Sequence, residues 1–214
     1  MSTVASSLRQ GIAGLGLALP ATALEQLENY LALLVKWNRV YNLTAIRDEA
    51  KLVSHHVLDS LAVVGHLPAG SVADVGSGAG LPGIPIAISC PGRAVTLVDS
   101  NHKKGAFLKQ AAAELALRDV RVITERVEAF RPAELFRIVI SRAFSDLADF
   151  VKFAGHLCAA DGVMLAMKGL HPDDELANLP SSWEATKVLR LEIPQLEASR
   201  HLVFLRQKSP TRPD

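Results

Sequence analysis

Asp74-Val75-Gly76-Ser77-Gly78-Ala79-Gly80-Leu81-Pro82-Gly83 is the stretch on which the fold turns. It closes a short β-rich run, Ser71 to Val75, and opens a helix-like one through Ile86-Ala87-Ile88. Glycines let a chain turn tightly and bring its amides against a ligand, and the helix that follows offers unpaired amides of its own. Pro82 suits a first helical turn, where a missing N–H costs little. The next β-rich run, Ala94 to Val98, is followed at once by Asp99, whose carboxylate can accept both hydroxyls of an adenosine ribose.

Working outward, three further runs read as strands: Val120 to Thr124, Arg137 to Ser141, and Val163 to Met167, the last preceded by an Asp161-Gly162 turn. Helix-like segments at Ala106 to Leu117 and Leu147 to Leu157 separate them. Strands alternating with helices predict a parallel sheet covered on both faces. Lys187 to Ile193 and Leu202 to Arg206 have only a short connection and therefore predict an antiparallel hairpin, making seven strands. Residues 71–214 thus form an α/β core.

Residues 1–70 read as a helical N-terminal extension. Leu24, Leu27, Leu31, Leu34 and Val35 make one apolar stripe ending near Asn38 to Asn42, with Thr22 and Glu25 placed to form a capping box. Residues 48–65 predict a second helix with Leu52, Val53, His56, Val57, Leu61 and Val64 on or near one face. Arg9, the apolar Gly11 to Pro20 and Ala21-Thr22-Ala23 imitate an export signal. Gly11, Gly14 and Gly16 dilute it, and a cytoplasmic protein is expected. Ser209 to Asp214 is expected to fray.

The chain has 214 residues, 23 Lys+Arg against 22 Asp+Glu and 49% hydrophobic residues. A net charge of +1 excludes attachment to nucleic acid or membrane by bulk charge alone, while leaving room for a local basic site. Cys90 and Cys158 form no zinc pattern and are expected as reduced, mostly buried thiols. His55 and Asp59 lie four apart without a third ligand, so no metal is expected.

Two cofactor classes fit the loop. Gly78-x-Gly80-x-x-Gly83 matches the dinucleotide fingerprint. Asp74-x-Gly76-x-Gly78, with its acid two residues before the first glycine, is instead typical of S-adenosylmethionine sites. The closing hairpin, and the lack of chain for a second substrate domain, favour the latter.

Longer stretches then carry a resemblance: Trp37-Asn38, Tyr41-Asn42-Leu43-Thr44, His56-Val57-Leu58-Asp59-Ser60, Asp74 to Pro85, Leu97-Val98-Asp99-Ser100, Arg126-Val127-Glu128, Ile140 to Phe144, Lys168-Gly169 and Arg200 to Val203. In this order, over nearly the whole chain, they resemble the bacterial methyltransferases that modify guanine N7 in small-subunit ribosomal RNA, also called glucose-inhibited division protein B. The resemblance implies a class I S-adenosylmethionine-dependent methyltransferase fold, Rossmann-like, with an antiparallel final strand and a helical cap. It implies 16S ribosomal RNA or the small subunit as partner, with guanosine 527 as target, and no membrane. It also implies that Gly76, Leu81, Val127, Glu128 and Arg142 line the cofactor site, where Asp74, Gly78 and Asp99 join them.

Guanine N7 carries a lone pair in the neutral base, so alignment and electrostatics suffice and no dedicated general base is required. The run Ile140-Ser141-Arg142-Ala143-Phe144 agrees, since it lacks the Asn/Asp-Pro-Pro-aromatic motif of exocyclic amine methylation. Topology predicts that Arg142, Lys168 and Arg200 share the carboxyl edge of the sheet. There Arg142 and Lys168 are expected to orient base or phosphate, and Arg200 to grip the RNA backbone. Lys103 and Lys104 at a helix start, Arg126, Asn42 and His56 complete the candidate RNA contacts. Phe144 and Trp37 read more readily as packing residues. Methylation of another RNA, of a small molecule or of a protein, and a ribosome-assembly role without turnover, remain open at this stage.

Overall fold

The computed structural model describes residues 3–208; the Ser209 to Asp214 tail lies outside them. Seven strands form one sheet in the order β3-β2-β1-β4-β5-β7-β6. They are β1 (Val72–Val75), β2 (Val95–Val98), β3 (Val120–Ile123), β4 (Phe136–Ser141), β5 (Cys158–Lys168), β6 (Trp183–Arg190) and β7 (His201–Gln207). The first five are mutually parallel, and β7 runs antiparallel between β5 and β6. This is the architecture the alternation and the closing hairpin predict.

Strand periodicity divides the apolar residues between two cores. Val72, Leu97, Ile138, Ile140 and Leu165 face one side, packed with α5 (Gly83–Ser89), α6 (His102–Glu114) and the helical cap. Ala73, Val75, Val139 and Met164 face the other, beneath α7 (Leu147–Ala154). Phe107 and Phe150, one in each core, are fully buried, each worth about 1.5–3 kcal/mol relative to exposure.

The cap consists of α1 (Thr3–Gly14), α2 (Ala23–Tyr41), α3 (Glu49–Leu52), a π-helical turn (Val53–Leu58) and α4 (Asp59–Leu61). Sequence reading missed α1, whose Leu8 joins the cap-side core. Trp37 packs edge-on to Phe107 at 5.6 Å between ring centres. Tyr30 is buried, and its hydroxyl donates to the Ala79 carbonyl at 2.6 Å, tying α2 to the glycine loop. Burial pushes the Tyr30 phenol pKa upward, which keeps that donor protonated.

Four local expectations need correction. Thr22 sits in helical conformation and makes no side-chain cap; its hydroxyl meets Gln26 Oε1 at 3.3 Å. The single helix expected over 48–65 is instead α3, the π-turn and α4, ending at Leu61, and Ser54, His56, Asp59 and Ser60 are all buried within it. Asp161-Gly162 lies within β5, where the pairing with β4 skips from Phe136–Cys158 to Ile138–Val163 and extra residues bulge outward. β6 ends at Arg190, because Leu191 and Ile193 leave the sheet to join the cap-side core. Sequence reading also missed α8 (Asp173–Ala177), which carries acidic residues in its first turn.

Candidate active site

Side-chain parity places Asp74 on the cap side of β1, directly under the start of α5. Its Oδ2 accepts from the Gly83 amide at 2.9 Å, while its Oδ1 is buried without a partner. A Cβ on Gly83 would stand 2.2 Å from Leu97 Cδ2 and 2.7 Å from Asp74 Oδ2, so glycine permits this approach. Burial raises the Asp74 pKa to about 7, a rise the Gly83 amide and the Arg142 charge only partly offset.

Gly76 turns the chain at the end of β1 with φ +70°, and a Cβ there would lie 2.6 Å from that of Ala143. The loop then passes beside Asp99. The Gly78 amide donates to Asp99 Oδ2 at 2.9 Å and the Asn101 amide to Oδ1 at 2.8 Å. Lys104 Nζ stands 3.9 Å from Asp99 Oδ2.

Three cavities line the carboxyl edge of the sheet. The first, of about 410 Å³, lies between Gly76, Asp99, Lys104, Arg126, Val127, Glu128 and Phe144. The second, about 170 Å³, shares Gly76 and Ala143 with it and adds Thr44, His56, Gly78, Leu81 and Arg142. The third, about 360 Å³, shares His56 and Arg142 with the second and adds His55, Asp59, Lys168 and Arg200. Shared wall residues set the three side by side along this edge.

The first cavity fits an adenosine-bearing cofactor. Its volume lies in the range of small-molecule pockets. Each Asp99 oxygen has a single amide donor and keeps acceptor capacity for a ribose hydroxyl. The junction at Gly76 is backbone that a side chain would fill. Asp99, Glu125 and Glu128 outnumber Lys104 and Arg126 on its walls, which favours a cationic ligand.

The third cavity is organised by a buried acid. Asp59 is 1% exposed; its Oδ2 accepts from Arg142 Nη1 and its Oδ1 from Arg200 Nε, both at 3.0 Å. Arg142 Nη1 also donates to the His55 carbonyl at 3.1 Å. Lys168 is held by Glu175 Oε2 at 2.6 Å and the carbonyls of Ser145 and Phe144 at 2.9 and 3.2 Å. Its three hydrogens are taken, a departure from the expectation that it would orient base or phosphate. His56 is buried with Nε2 2.7 Å from Thr44 Oγ1. Burial, then the Arg142 charge, lower its pKa to about 4, so the ring is neutral at pH 7.

Arg142, Lys168, Arg200 and His56 therefore meet, as do Gly76, Asp99, Val127 and Glu128. Arg126 stands on the cofactor-side cavity instead of the arginine-lined one. Asn42 is exposed at the end of α2, receives Arg47 Nη2 at 3.1 Å and lines none of the three cavities. Lys103 is exposed on the first turn of α6. Phe144 packs on Phe150 at 5.2 Å between ring centres while forming part of the cavity wall. Sequence reading missed the roles of Asp59 and Thr44. For Asp59 the available signal was a carboxylate next to Val57 and Leu58 and two residues before Leu61, among the apolar positions of that helix.

A family model, GidB, described as rRNA small subunit methyltransferase G, matches residues 23–203. The chain is 54% identical over 210 residues to a protein named ribosomal RNA small subunit methyltransferase G from Nitrosospira multiformis, covering 95% of this chain and 97% of the relative. It is 52% identical over 204 residues to the protein of that name from Chromobacterium violaceum, covering 95% and 98%. Among solved structures, the O-methyltransferase TomG from Streptomyces achromogenes, in complex with SAM, superposes with TM-score 0.60 at 13% identity, covering 98% of this chain and 100% of that one. The last likeness concerns the fold alone.

Proposed function

Because this chain belongs to the rRNA small subunit methyltransferase G family, we propose that it methylates N7 of a guanine in 16S ribosomal RNA, at guanosine 527, in the cytoplasm. Three adjoining cavities carry this reading: an adenosine-sized one, a small one walled by Gly76, Ala143 and Arg142, and an arginine-lined one. S-adenosylmethionine, when bound, supplies an electrophilic methyl group on a sulfonium. Asp99 would hold its ribose, and the Gly76–Gly78 backbone, Val127 and Glu128 would form the walls around it.

The remaining requirement is to bring a lone pair into line. Guanine presents N7 and O6 on one edge, and an arginine ordinarily takes both. Here N7 must stay uncovered, so Arg142 donates to O6 or to a phosphate. Its Nε and Nη2 are the edges left for this, having no protein partner among the described residues. Neutral His56 adds no charge that would repel a sulfonium. With nothing to deprotonate, alignment in a preorganised site is the main catalytic contribution. Arg200 reaches the RNA backbone, and Lys168 tethers the Phe144–Ser145 segment that walls the cofactor cavity.

The test incubates the protein with methyl-labelled S-adenosylmethionine and small subunits or 16S RNA lacking the modification, then maps the label. N7-methylguanosine at one position is the expected product. Label on an exocyclic amine, on protein or on a small molecule would overturn the assignment.

A further inference from the structure

The π-turn of the cap changes what two carbonyls and one carboxylate can do. In an α-helix the Asp59 amide would bond the His55 carbonyl. Here it donates to the carbonyls of Ser54 and His56, passing over His55. The His55 carbonyl receives Arg142 Nη1 instead. The Asp59 side chain is buried, with its two oxygens directed one to each arginine.

These arginines come from opposite directions. Arg142 follows β4, and Arg200 immediately precedes β7. β7 pairs with β5 so that His201 sits opposite Lys168, and β5 pairs with β4 so that Ala166 sits opposite Ser141. The sheet alone thus brings the two guanidiniums to one edge, where like charges repel. One buried carboxylate between them, with the two residues 26% and 22% exposed at their side chains, removes that repulsion and leaves one net positive charge at the cavity. The neighbouring Lys168 charge is matched by Glu175. Arg142 Nη2 and Arg200 Nη2 have no protein partner among the described residues, and both residues line the cavity.

We propose that Asp59, on the cap, is the positioning residue that couples Arg142 and Arg200 into one recognition device, so that the cap sets the geometry in which the substrate guanine and its backbone are held. This rests on the function proposed above and deepens it. A salt bridge serving only stability would not require two arginines from distant segments to keep their outer nitrogens free at one cavity. The arrangement suits a substrate with an acceptor-rich purine edge and an adjacent phosphate, the two groups falling to the two arginines.

The test is a mutant cycle on methylation of unmodified small-subunit RNA or particles, with S-adenosylhomocysteine binding and thermal unfolding measured on every variant. Asp59→Asn keeps the shape and removes the charge. It is expected to lower kcat/KM for the RNA at least 30-fold, with cofactor affinity within threefold of the parent. In an Arg142→Ala/Arg200→Ala background the same substitution should change kcat/KM by less than threefold, which a merely structural role would not produce. An unchanged kcat/KM, or an equal loss in both backgrounds, overturns the proposal. If Asp59→Asn does not fold, the two arginine variants test the bridge without it. Coupling predicts a double variant whose loss is at least fivefold smaller than the product of the single losses, and a simple product overturns it. Should the parent methylate an atom other than N7, the function above falls, and the cycle scored on that atom still decides the role of Asp59.

Discussion

The cofactor-side and arginine-lined cavities each share wall residues with the small one, yet they are built in opposite ways. On the cofactor side, much of the wall comes from the ends of β1 and β2 and the loops that follow, and the Asp99 carboxylate there is fixed by the backbone amides of Gly78 and Asn101. The arginine-lined cavity takes side chains from a π-turn in the cap and from segments at the ends of β4 and β5 and the start of β7. A backbone-built site depends on local chain geometry and tolerates few changes of glycine or acid. A side-chain-built site depends on long-range registration and on one buried charge.

Breaking the first cavity at its acid should have the largest effect. Asp99→Ala removes the ribose acceptor and leaves the Gly78 and Asn101 amides without their carboxylate. The loss of charged hydrogen bonds predicts a cofactor affinity weakened by about 2–3 kcal/mol, roughly 30- to 150-fold, measured by calorimetry. RNA retention on a filter should stay within a few-fold. An equal fall in both affinities would mean that the two cavities do not divide the work.

A smaller effect is expected from backbone crowding. Gly83→Ala drives a Cβ into Leu97 and Asp74, and overpacking of this kind costs about 1–3 kcal/mol of stability, read from the urea midpoint. Because Gly83 also presents the amide to Asp74, cofactor affinity should fall with it.

The pH dependence sharpens the contrast by its sign. Asp74, with its pKa raised to about 7, holds a proton in the folded state that the unfolded chain has lost above about pH 4. Its stabilisation is present at low pH and is lost as pH rises toward 7. His56, lowered to about 4, refuses a proton that the unfolded chain accepts below about pH 6.5. Its stabilisation is present above that pH and is lost as pH falls toward 4. The two slopes oppose, each at most about 1.4 kcal/mol per pH unit. Relative to the parent, Asp74→Asn should therefore lose stability on acidification from pH 6.5 to 4.5, and His56→Gln should gain it, as read from urea midpoints. Parallel shifts in both variants would refute the assignment.

How far the chain could be read follows the same division. The glycine loop, Asp99 and the existence of the first five strands were legible because short apolar runs and a contiguous glycine motif are local signals. The extent of β6 was not. Most of that edge strand is solvated, and its first half, with only Trp183 and Ala185 as apolar residues, carries a weak strand signal, while Leu191 and Ile193 look like strand and belong to the cap-side core. The Thr22 capping box failed although its spacing was right, because the backbone at Thr22 is already helical and its hydroxyl turns to Gln26.

The arginine-lined cavity marks the boundary most clearly. Strand direction placed Arg142, Lys168 and Arg200 at one edge from the sequence, since a parallel sheet ends all its strands on the same side. Nothing in the spacing of residues 48–65 announced a π-turn, and without it Asp59 reads as an acid on an ordinary helix. Local patterns thus sufficed for the sheet, the cofactor loop and the class of chemistry, because each rests on neighbours along the chain. Which cation keeps open donors and which is fully tethered, and which acid holds two arginines together, was settled by packing. Those contacts join residues 83 and 141 positions apart, and no local pattern records them.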